Sequence, residues 1–329
     1  MTVPLQQIIR QTLQTIESDA EWLLTGPVIR SRECDIYRAT SSTSGLTLAV
    51  KHFTATGNPK AALQQYNALQ NYQKTMAETE TSCRVPTIFG YDTEHRFLVM
   101  EWVAGRSLHR LLWTPLLRNE QVETALHRTG HWLRCFHKAS NISSSPVVFA
   151  HYQEIVEQRV VRSLGGAQPV GSAFQGFGEA YNVLRDLLSC LPPTDAPHAV
   201  LHGDFTPFNL LLGNDQTTGF DIWAQVRKPV QVDLARMVTY LTIAYPLLTQ
   251  QPVYDDPNRF AKRLLPLLEG YGQDLVQPAS LHFRLCLLTE YLRRWLVIGS
   301  RPRSLKGIVT NTYLIAQVKK QVQTLISTF

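Results

Sequence analysis

Residues 201–212 of this chain read LHGDFTPFNLLL, and this stretch decides the fold. Its apolar residues suit a buried strand, yet it also holds His202, Asp204 and Asn209. Buried polar groups are costly unless they are hydrogen-bonded, so three of them in one short run require an explanation. The pattern favours a loop that carries chemistry, and side chains that only cap a turn are the alternative.

A further polar position follows this stretch at a spacing that suggests a metal site. The turn-forming residues GNDQTTG lead into FDIW, which contains Asp221. If the two apolar runs form a hairpin centred on Asp215, Asn209 lies opposite Asp221, and directly opposed side chains can share one ligand. A carboxylate and an amide oxygen suit Mg²⁺. Asp204, held near a metal-bound phosphate, could then accept the proton of an attacking hydroxyl group.

The segment LTLAVKHF offers a cation for nucleotide phosphates. Strand alternation places Thr47, Ala49 and Lys51 on one face. Ala49 could therefore lie against a flat base while Lys51 reaches the phosphates. A lysine on the solvent-exposed face of a strand is the alternative.

The rest of the sequence divides into a small sheet and a helical part. The pattern predicts a helix over residues 5–24, a hairpin with its turn near Ser44–Gly45, and a second helix with Asn58 as its cap. More strands complete the first part, and periodic apolar positions then predict a series of helices. We therefore expect an α+β protein with one domain over 1–104 and a helical domain over 105–329.

The composition is that of a globular protein of 329 residues, 44% hydrophobic and 18% charged, which is long enough for two domains. Its five cysteines are scattered and form no C-x-x-C pair, which disfavours a disulfide framework and a zinc site. We find neither a signal-peptide pattern at the start nor an apolar stretch long enough to span a membrane. The sequence thus predicts a cytoplasmic protein.

The net charge of +6 lies entirely in the helical part of the chain. Lysines and arginines are scattered there and form no blocks, which is typical of a solvated helical surface. We therefore expect no nucleic-acid partner.

A third segment, FLVMEWVAGRSL, makes a family resemblance specific. Together with LAVK, LHGDFTPFNLLL, FDIW and VDLARMV, it resembles the aminoglycoside phosphotransferase and choline kinase superfamily over residues from about 22 to 240. The resemblance implies a bilobal protein-kinase-like fold with a sheet-containing N-lobe and a larger helical C-lobe. It also implies transfer of the γ-phosphate of ATP, with Mg²⁺, to a hydroxyl group of a small molecule such as a sugar or an amino alcohol.

The resemblance further implies a role for each matching position. Asp233 would be the structural aspartate that supports the catalytic loop together with His202, although a plain helix N-cap is an equally good interpretation of this residue. The other implied roles are phosphate binding by Lys51, adenine contacts from Ala49, Met100 and the backbone of Glu101 and Val103, general base catalysis by Asp204, and Mg²⁺ binding by Asn209 and Asp221.

Two departures from the family pattern favour a competing interpretation. The helix position that usually carries a glutamate, as partner of the strand lysine, is Gln65 or Gln64, and a glutamine supplies no charge. The phosphate-covering loop has Gly26 alone where a protein kinase has three glycines. A nucleotide-binding pseudokinase that acts as a regulatory or partner-binding module is therefore the alternative function.

The spacing after Asp221 bears on the acceptor. Asp233 follows Asp221 by only twelve positions, too few for the activation segment on which protein kinases bind a peptide, and residue 206 is a threonine where Ser/Thr kinases have a lysine. A small-molecule acceptor therefore fits better than a protein. Four arginines, Arg293, Arg294, Arg301 and Arg303, favour a neutral or anionic acceptor over a polycation, unless they simply lie on an exposed helix face.

Overall fold

The computed structural model describes residues 5–31, 33–54, 60–78, 80–114, 119–223, 226–245, 264–301 and 305–329. These residues form two compact units. The first unit runs up to Arg106 and also contains the stretch that starts at Leu210, and the second contains Ser107–Asn209 and the residues from Val226 onward. The predicted boundary after residue 104 did not include this return of the chain to the first unit.

Helices and short strands alternate along the described chain. The helices are α1 (Leu5–Ile16), α2 (Ala61–Ala77), α3 (Leu108–Leu112), α4 (Asn119–Ala139), α5 (Ala150–Leu164), α6 (Phe177–Cys190), α7 (Gln231–Ala244), α8 (Leu265–Tyr271), α9 (Leu281–Gly299) and α10 (Leu305–Ile326). The strands are β1 (Trp22–Arg30), β2 (Cys34–Ser41), β3 (Thr47–Phe53), β4 (Cys83–Arg84), β5 (Ile88–Asp92), β6 (Phe97–Glu101), β7 (Arg106–Ser107), β8 (Ser143–Pro146), β9 (Asp195–Val200), β10 (Leu210–Leu212), β11 (Thr217–Gly219) and β12 (Arg227–Pro229).

The first unit is built on an antiparallel sheet with the strand order β1-β2-β3-β6-β5. One face of β3 contributes Leu48 and Val50 to a core with Ile9 and Leu13 of α1. Because side chains alternate along a strand, this packing directs Ala49 and its face-mates away from that core. The turn between β2 and β3 lies at the predicted position. It contains Gly45, whose φ is 73°.

Helix boundaries in the first unit differ from the predicted ones. α1 ends at Ile16 rather than at residue 24, because the chain from Trp22 pairs with β2. The predicted cap, Asn58, lies outside the described residues, and α2 begins at Ala61. No helix of the described residues combines the length and the apolar character needed to cross a membrane.

The hairpin after the LHGDFTPFN stretch exists, but its predicted register is wrong. β10 pairs with β11 so that Leu210 faces Gly219 and Leu212 faces Thr217. The turn is closed by the N–H of Gly213, which donates to the carbonyl of Gln216 at 2.9 Å. Two residues, 214 and 215, therefore form the loop, and a two-residue loop is the favoured hairpin connection. The hairpin is thus centred between two residues, not on Asp215.

The shifted register removes the strand predicted for FDIW. The second strand is Thr217–Gly219, a segment that we predicted to be part of the turn. Phe220 to Trp223, which form the FDIW segment, lie outside any strand. The ladder ends at the Leu210–Gly219 pair, so Asn209 and Asp221 are not opposed through strand pairing.

In the second unit, helices α4 and α8 pack in close backbone contact. A Cβ atom added at Gly130 would lie 1.9 Å from the carbonyl oxygen of Leu267, and one added at Gly270 would lie 2.0 Å from that of His127. Only glycine fits at such an approach, and its presence here outweighs its low helix propensity. This contact brings Tyr271 of α8 to α4.

We expect Gly130→Ala to lower the free energy of unfolding by about 1–3 kcal/mol or more, because the new methyl group forces α4 and α8 apart. Gly178→Ala is the matched control, since Gly178 lies in helix α6 and a Cβ there meets no atom within 4 Å. The control should be neutral or stabilise by up to about 1 kcal/mol. Urea denaturation measures both variants, and equal effects would contradict the packing argument.

Candidate active site

The backbone of the LHGDFTPFN loop is held by one buried carboxylate. Asp233 lies in the first turn of α7 and is 0% exposed. Its Oδ2 accepts the N–H of His202 at 2.6 Å, and its Oδ1 accepts the N–H of Gly203 at 3.3 Å. Asp233 does not cap its own helix, because the N-cap position of α7 is Val230.

His137 of α4 completes the surroundings of this carboxylate. Its Nε2 donates to Oδ2 of Asp233 at 3.2 Å, and its Nδ1 lies 2.9 Å from the hydroxyl of Tyr271. Burial raises the pKa of Asp233, but the hydrogen bond from His137 and the electrostatic influence of His137, His202 and Arg236 outweigh burial, so the net pKa lies below its usual value. Helices α4, α7 and α8 thus converge on one ionised group.

Within the loop, an aromatic anchor and an amide fix the position of Asp204. Phe205 is fully buried and stacks on Trp132 with ring centroids 5.9 Å apart. Nδ2 of Asn209 donates to the backbone carbonyl of Asp204 at 2.9 Å and to its Oδ2 at 3.1 Å. Gly203 permits the turn with a φ of 85°. Asp204 is therefore held in place both by the packing of its neighbour Phe205 and by the hydrogen bonds from Asn209.

In the first unit, Lys51 is buried and paired. It is 3% exposed, which excludes the interpretation as a lysine on a solvent-exposed strand face. Its Nζ donates to Oε1 of Gln65 at 3.1 Å and forms an ion pair with Oδ1 of Asp221. Of the two glutamines left open by the sequence, Gln65 makes the contact with Lys51. A buried ammonium group needs such partners, and among the residues that the structure describes the compensating charge comes from Asp221.

Asp221 has an unusual backbone conformation directly after β11. Its φ is 53°, in the left-handed region that aspartate tolerates better than most residues. This conformation ends the strand and places the carboxylate on Lys51. Within the described part of the chain, Asp221 has no other hydrogen-bond partner. A hard oxygen ligand of this kind suits Mg²⁺, as does the amide oxygen of Asn209, whose Nδ2 is used by Asp204.

The face of β3 that carries Lys51 also carries the positions expected to contact a base. Ala49 faces Met100 of β6 across the ladder, and both are almost fully buried. The N–H of Glu101 donates to the carbonyl of Thr87 at 2.7 Å, so a base contact by the Glu101 backbone would use its carbonyl. Val103 follows β6 in an extended segment without regular structure.

The side chain of Glu101 has a structural role that sequence analysis missed. Its carboxylate forms two hydrogen bonds with the guanidinium of Arg84, at 2.7 and 2.8 Å. Burial raises the pKa of Glu101, but the bonds from Arg84 and Thr87 outweigh burial and lower it. This pair fixes the end of β6, where the segment toward Val103 starts.

His137, Tyr271 and Trp132 were also missed, although they position the loop. Each lies in a helix more than 30 residues away from the loop it supports, so only the fold brings it there. A histidine among the apolar positions of α4 was the available signal, since a buried polar side chain needs a partner.

Residue 26 does not lie in a phosphate-covering turn. Gly26 has a φ of 122° and sits inside β1, at an irregularity in its pairing with β2 between Thr25 and Ile29. The β1–β2 connection follows Arg30 and precedes Cys34. The described structure thus gives Gly26 a role in strand geometry.

A comparison with protein families gives one match. Residues 30–245 match the family described as "Phosphotransferase enzyme family". No curated protein matches the chain. Among solved structures, 146 chains match.

Three of the similar structures cover nearly the whole chain. An amicoumacin kinase in complex with AMP-PNP and Ca²⁺ has a TM-score of 0.58 at 14% identity, over 96% of this chain and 93% of that chain. A choline/ethanolamine kinase family protein from Mesorhizobium loti has a TM-score of 0.58 at 12% identity, over 99% of both chains. A glucosamine kinase in complex with glucosamine, ADP and inorganic phosphate has a TM-score of 0.53 at 14% identity, over 99% of this chain and 83% of that chain. These likenesses confirm the predicted α+β protein-kinase-like fold.

We expect Asp233→Asn to lower the free energy of unfolding at pH 7 by about 2–4 kcal/mol, because hydrogen bonds to a buried charge are lost. The folded-state pKa of Asp233 is lowered, so its contribution is present above the unfolded pKa of about 3.9 and is lost as pH falls through the folded pKa. The difference between wild type and variant should therefore shrink on acidification.

Asp274→Asn is the matched control for this prediction. The Asp274 side chain is 62% exposed and pairs with Arg134 at 2.8 Å, so its loss should cost less than about 1 kcal/mol. Chemical denaturation between pH 3 and 7 measures both variants. A similar loss in both, or a pH-independent loss in Asp233→Asn, would contradict the assigned role.

Proposed function

This chain belongs to the phosphotransferase enzyme family, and on that premise we propose that it transfers the γ-phosphate of ATP, with Mg²⁺, to a hydroxyl group of a small molecule. The observation that carries the proposal is the held carboxylate of Asp204. Asn209 bonds it directly, and Asp233 holds the backbone just before it. A fixed, half-buried carboxylate of this kind serves as a general base.

The nucleotide would use the Lys51 face of β3. Ala49 and Met100 offer flat apolar contacts for a base, and the carbonyl of Glu101 and the backbone of Val103 would bond its edge. Lys51, held by Gln65, would bind the α- and β-phosphates. In the protein without nucleotide, the ammonium of Lys51 is neutralised by Asp221, so the phosphates and a cation would replace an existing ion pair.

The reaction would proceed by direct transfer. The acceptor oxygen forms a bond to the γ-phosphorus as the bond from that phosphorus to the β,γ-bridging oxygen breaks, and ADP leaves. Asp204 takes the hydroxyl proton. Asn209 and Asp221 would hold Mg²⁺, which neutralises charge on the phosphates.

A small molecule suits this chain better than a protein acceptor. The eleven residues between Asp221 and Asp233 include β12, which pairs with β9, so the chain has little length for a peptide-binding segment. The threonine at position 206 is 2% exposed and is thus packed inside the loop. A sugar, an amino alcohol or a related metabolite is the proposed acceptor class.

A nucleotide-binding pseudokinase is less well supported. The absence of a glutamate beside Lys51 was its main argument, and Gln65 still supplies a hydrogen-bond acceptor at 3.1 Å. Asp204, Asn209 and Asp221 are all retained, and the matching family is one of enzymes. Each of these groups has its use mainly in transfer or metal binding.

We expect ATP to raise the melting temperature modestly in chelator and further with Mg²⁺, because Asn209 and Asp221 would bind the ion jointly with the phosphates. Asp221→Asn should remove the additional shift, whereas Asp215→Asn, an exposed control in the β10–β11 loop, should keep it. Thermal unfolding followed by fluorescence measures these shifts. An identical shift in chelator and in Mg²⁺ would contradict the metal assignment.

We expect Asp204→Asn to lower transfer by about two to four orders of magnitude while ATP binding is retained, since the base is lost and the phosphate site is intact. The assay is a screen of hydroxyl compounds with ATP and Mg²⁺, with the product mass read directly. Asp186→Asn, an exposed position in α6, is the matched control and should transfer at the wild-type rate. Full activity of Asp204→Asn would contradict the proposal.

A further inference from the structure

Among the described residues, Arg294 of the second unit has no carboxylate partner, unlike its neighbours Arg236 and Arg293. Glu290 of α9, 1% exposed, accepts hydrogen bonds from Arg236 at 3.1 and 3.2 Å and from Arg293 at 2.8 Å. Arg294 instead lies over the ring of Tyr240, 4.1 Å from its centroid, and donates to its hydroxyl at 2.9 Å. Among the described residues no carboxylate bonds to Arg294, and its Nε is buried without a hydrogen-bond partner.

Counted over the described residues alone, the charges around Arg294 leave an excess of positive charge. Glu290 is shared by Arg236 and Arg293, and both of these also act on Arg159 of α5, which is partly buried. Burial, the largest influence, lowers the pKa of Arg294, whereas Tyr240 and Asp204 raise it. A buried cation whose partner is an aromatic side chain recovers only part of the free energy that it lost on leaving water. This region therefore favours the arrival of an anion.

A continuous series of contacts joins Arg294 to the loop that carries Asp204. The ring of Tyr240 meets that of Phe208 edge-on at 6.4 Å, and Phe208 lies between Asp204 and Asn209 in the chain. Phe208 also stacks on His109 at 4.2 Å, yet it remains 53% exposed. The negative charge of Asp204 acts on both Arg236 and Arg294. An anion bound by Arg294 would thus belong to a molecule that also reaches Asp204.

We propose that Arg294 binds an anionic group of the acceptor, a carboxylate or a phosphate, so that the substrate is an anionic hydroxy compound whose carbon skeleton packs on Phe208. This inference rests on the proposed function. A planar guanidinium suits either anion, because its N–H groups can bond two oxygens at once. In the proposed function, Lys51 and the metal ion bind the phosphates of ATP. The test therefore has to exclude the alternative that Arg294 binds a phosphate of ATP and not the acceptor. A polycationic acceptor would be repelled here.

The first experiment compares matched acceptors, each offered with and without its anionic group, such as a sugar phosphate and its sugar, or glycerate and glycerol. Wild-type protein should prefer the anionic member of a pair. In Arg294→Gln, the KM for that acceptor should rise about 10- to 100-fold, as expected for loss of a hydrogen bond between charged groups, with the KM for ATP changed less than about twofold. Arg185→Gln, at an exposed arginine of α6, is the matched control and should behave as wild type.

Arg294→Lys keeps the charge and loses the fork-shaped donor set, so it should fall between wild type and Arg294→Gln. It also provides a usable variant if the glutamine protein does not fold. A preference for neutral or cationic acceptors, or a rise in the KM for ATP rather than for the acceptor, would overturn the inference.

A second readout needs no turnover and separates this inference from the proposed function. With the nucleotide site saturated by AMP-PNP and Mg²⁺, inorganic phosphate should raise the melting temperature of wild type and Arg185→Gln more than chloride of equal ionic strength does. Arg294→Gln should lose this shift. If no acceptor is phosphorylated but the phosphate shift depends on Arg294, the transfer proposal fails and the anion site stands. If transfer occurs and the shift is unchanged in Arg294→Gln, the anion site fails.

Discussion

The hydrogen bonds from the loop backbone to the carboxylate of Asp233 are the constraint on which the candidate active site depends. This group is fully buried, so it can remain ionised only because two amide groups and His137 donate to it. The same bonds fix the direction in which the chain enters the turn to Asp204. Helix packing is part of this arrangement, since Tyr271 reaches His137 through the close contact of two helices at Gly130 and Gly270. A defect far from Asp204 would therefore reach its carboxylate through a short series of contacts.

Buried cations in this protein are compensated in different ways. Lys51 has a carboxylate partner, Asp221, and Arg236 shares Glu290 with another arginine. Arg294 has an aromatic ring and a hydroxyl group instead. A carboxylate partner offsets much of the desolvation cost of a buried cation, whereas neutral partners offset less of it. Within the described part of the chain, Arg294 therefore keeps more of its desolvation cost than Lys51 and Arg236 do.

Much of the architecture follows from local sequence patterns, and the site geometry follows only in part. Alternation in LTLAVKHF correctly separated the core residue Val50 from Lys51, because strand geometry is local. The hairpin register failed by one position, since it depends on whether the loop has two residues or three, and both fit GNDQTTG. The contacts of Asp233 with His137 and of Arg294 with Tyr240 span 96 and 54 residues, so no local pattern indicates them. The family resemblance supplied Asp233, but not the partner that keeps it ionised.

The return of the chain to the first unit at Leu210 has a consequence for folding during synthesis. Asp221 neutralises Lys51 from 170 positions further along the chain, so a ribosome must add all of these residues before the ion pair can form. At roughly 5–20 residues per second this takes on the order of 10–30 s. Until then the nascent chain has only the uncharged Gln65 for the ammonium group. Burial of an unneutralised lysine costs several kcal/mol, so we expect the Lys51 face of the sheet to stay open to water until translation has passed residue 221.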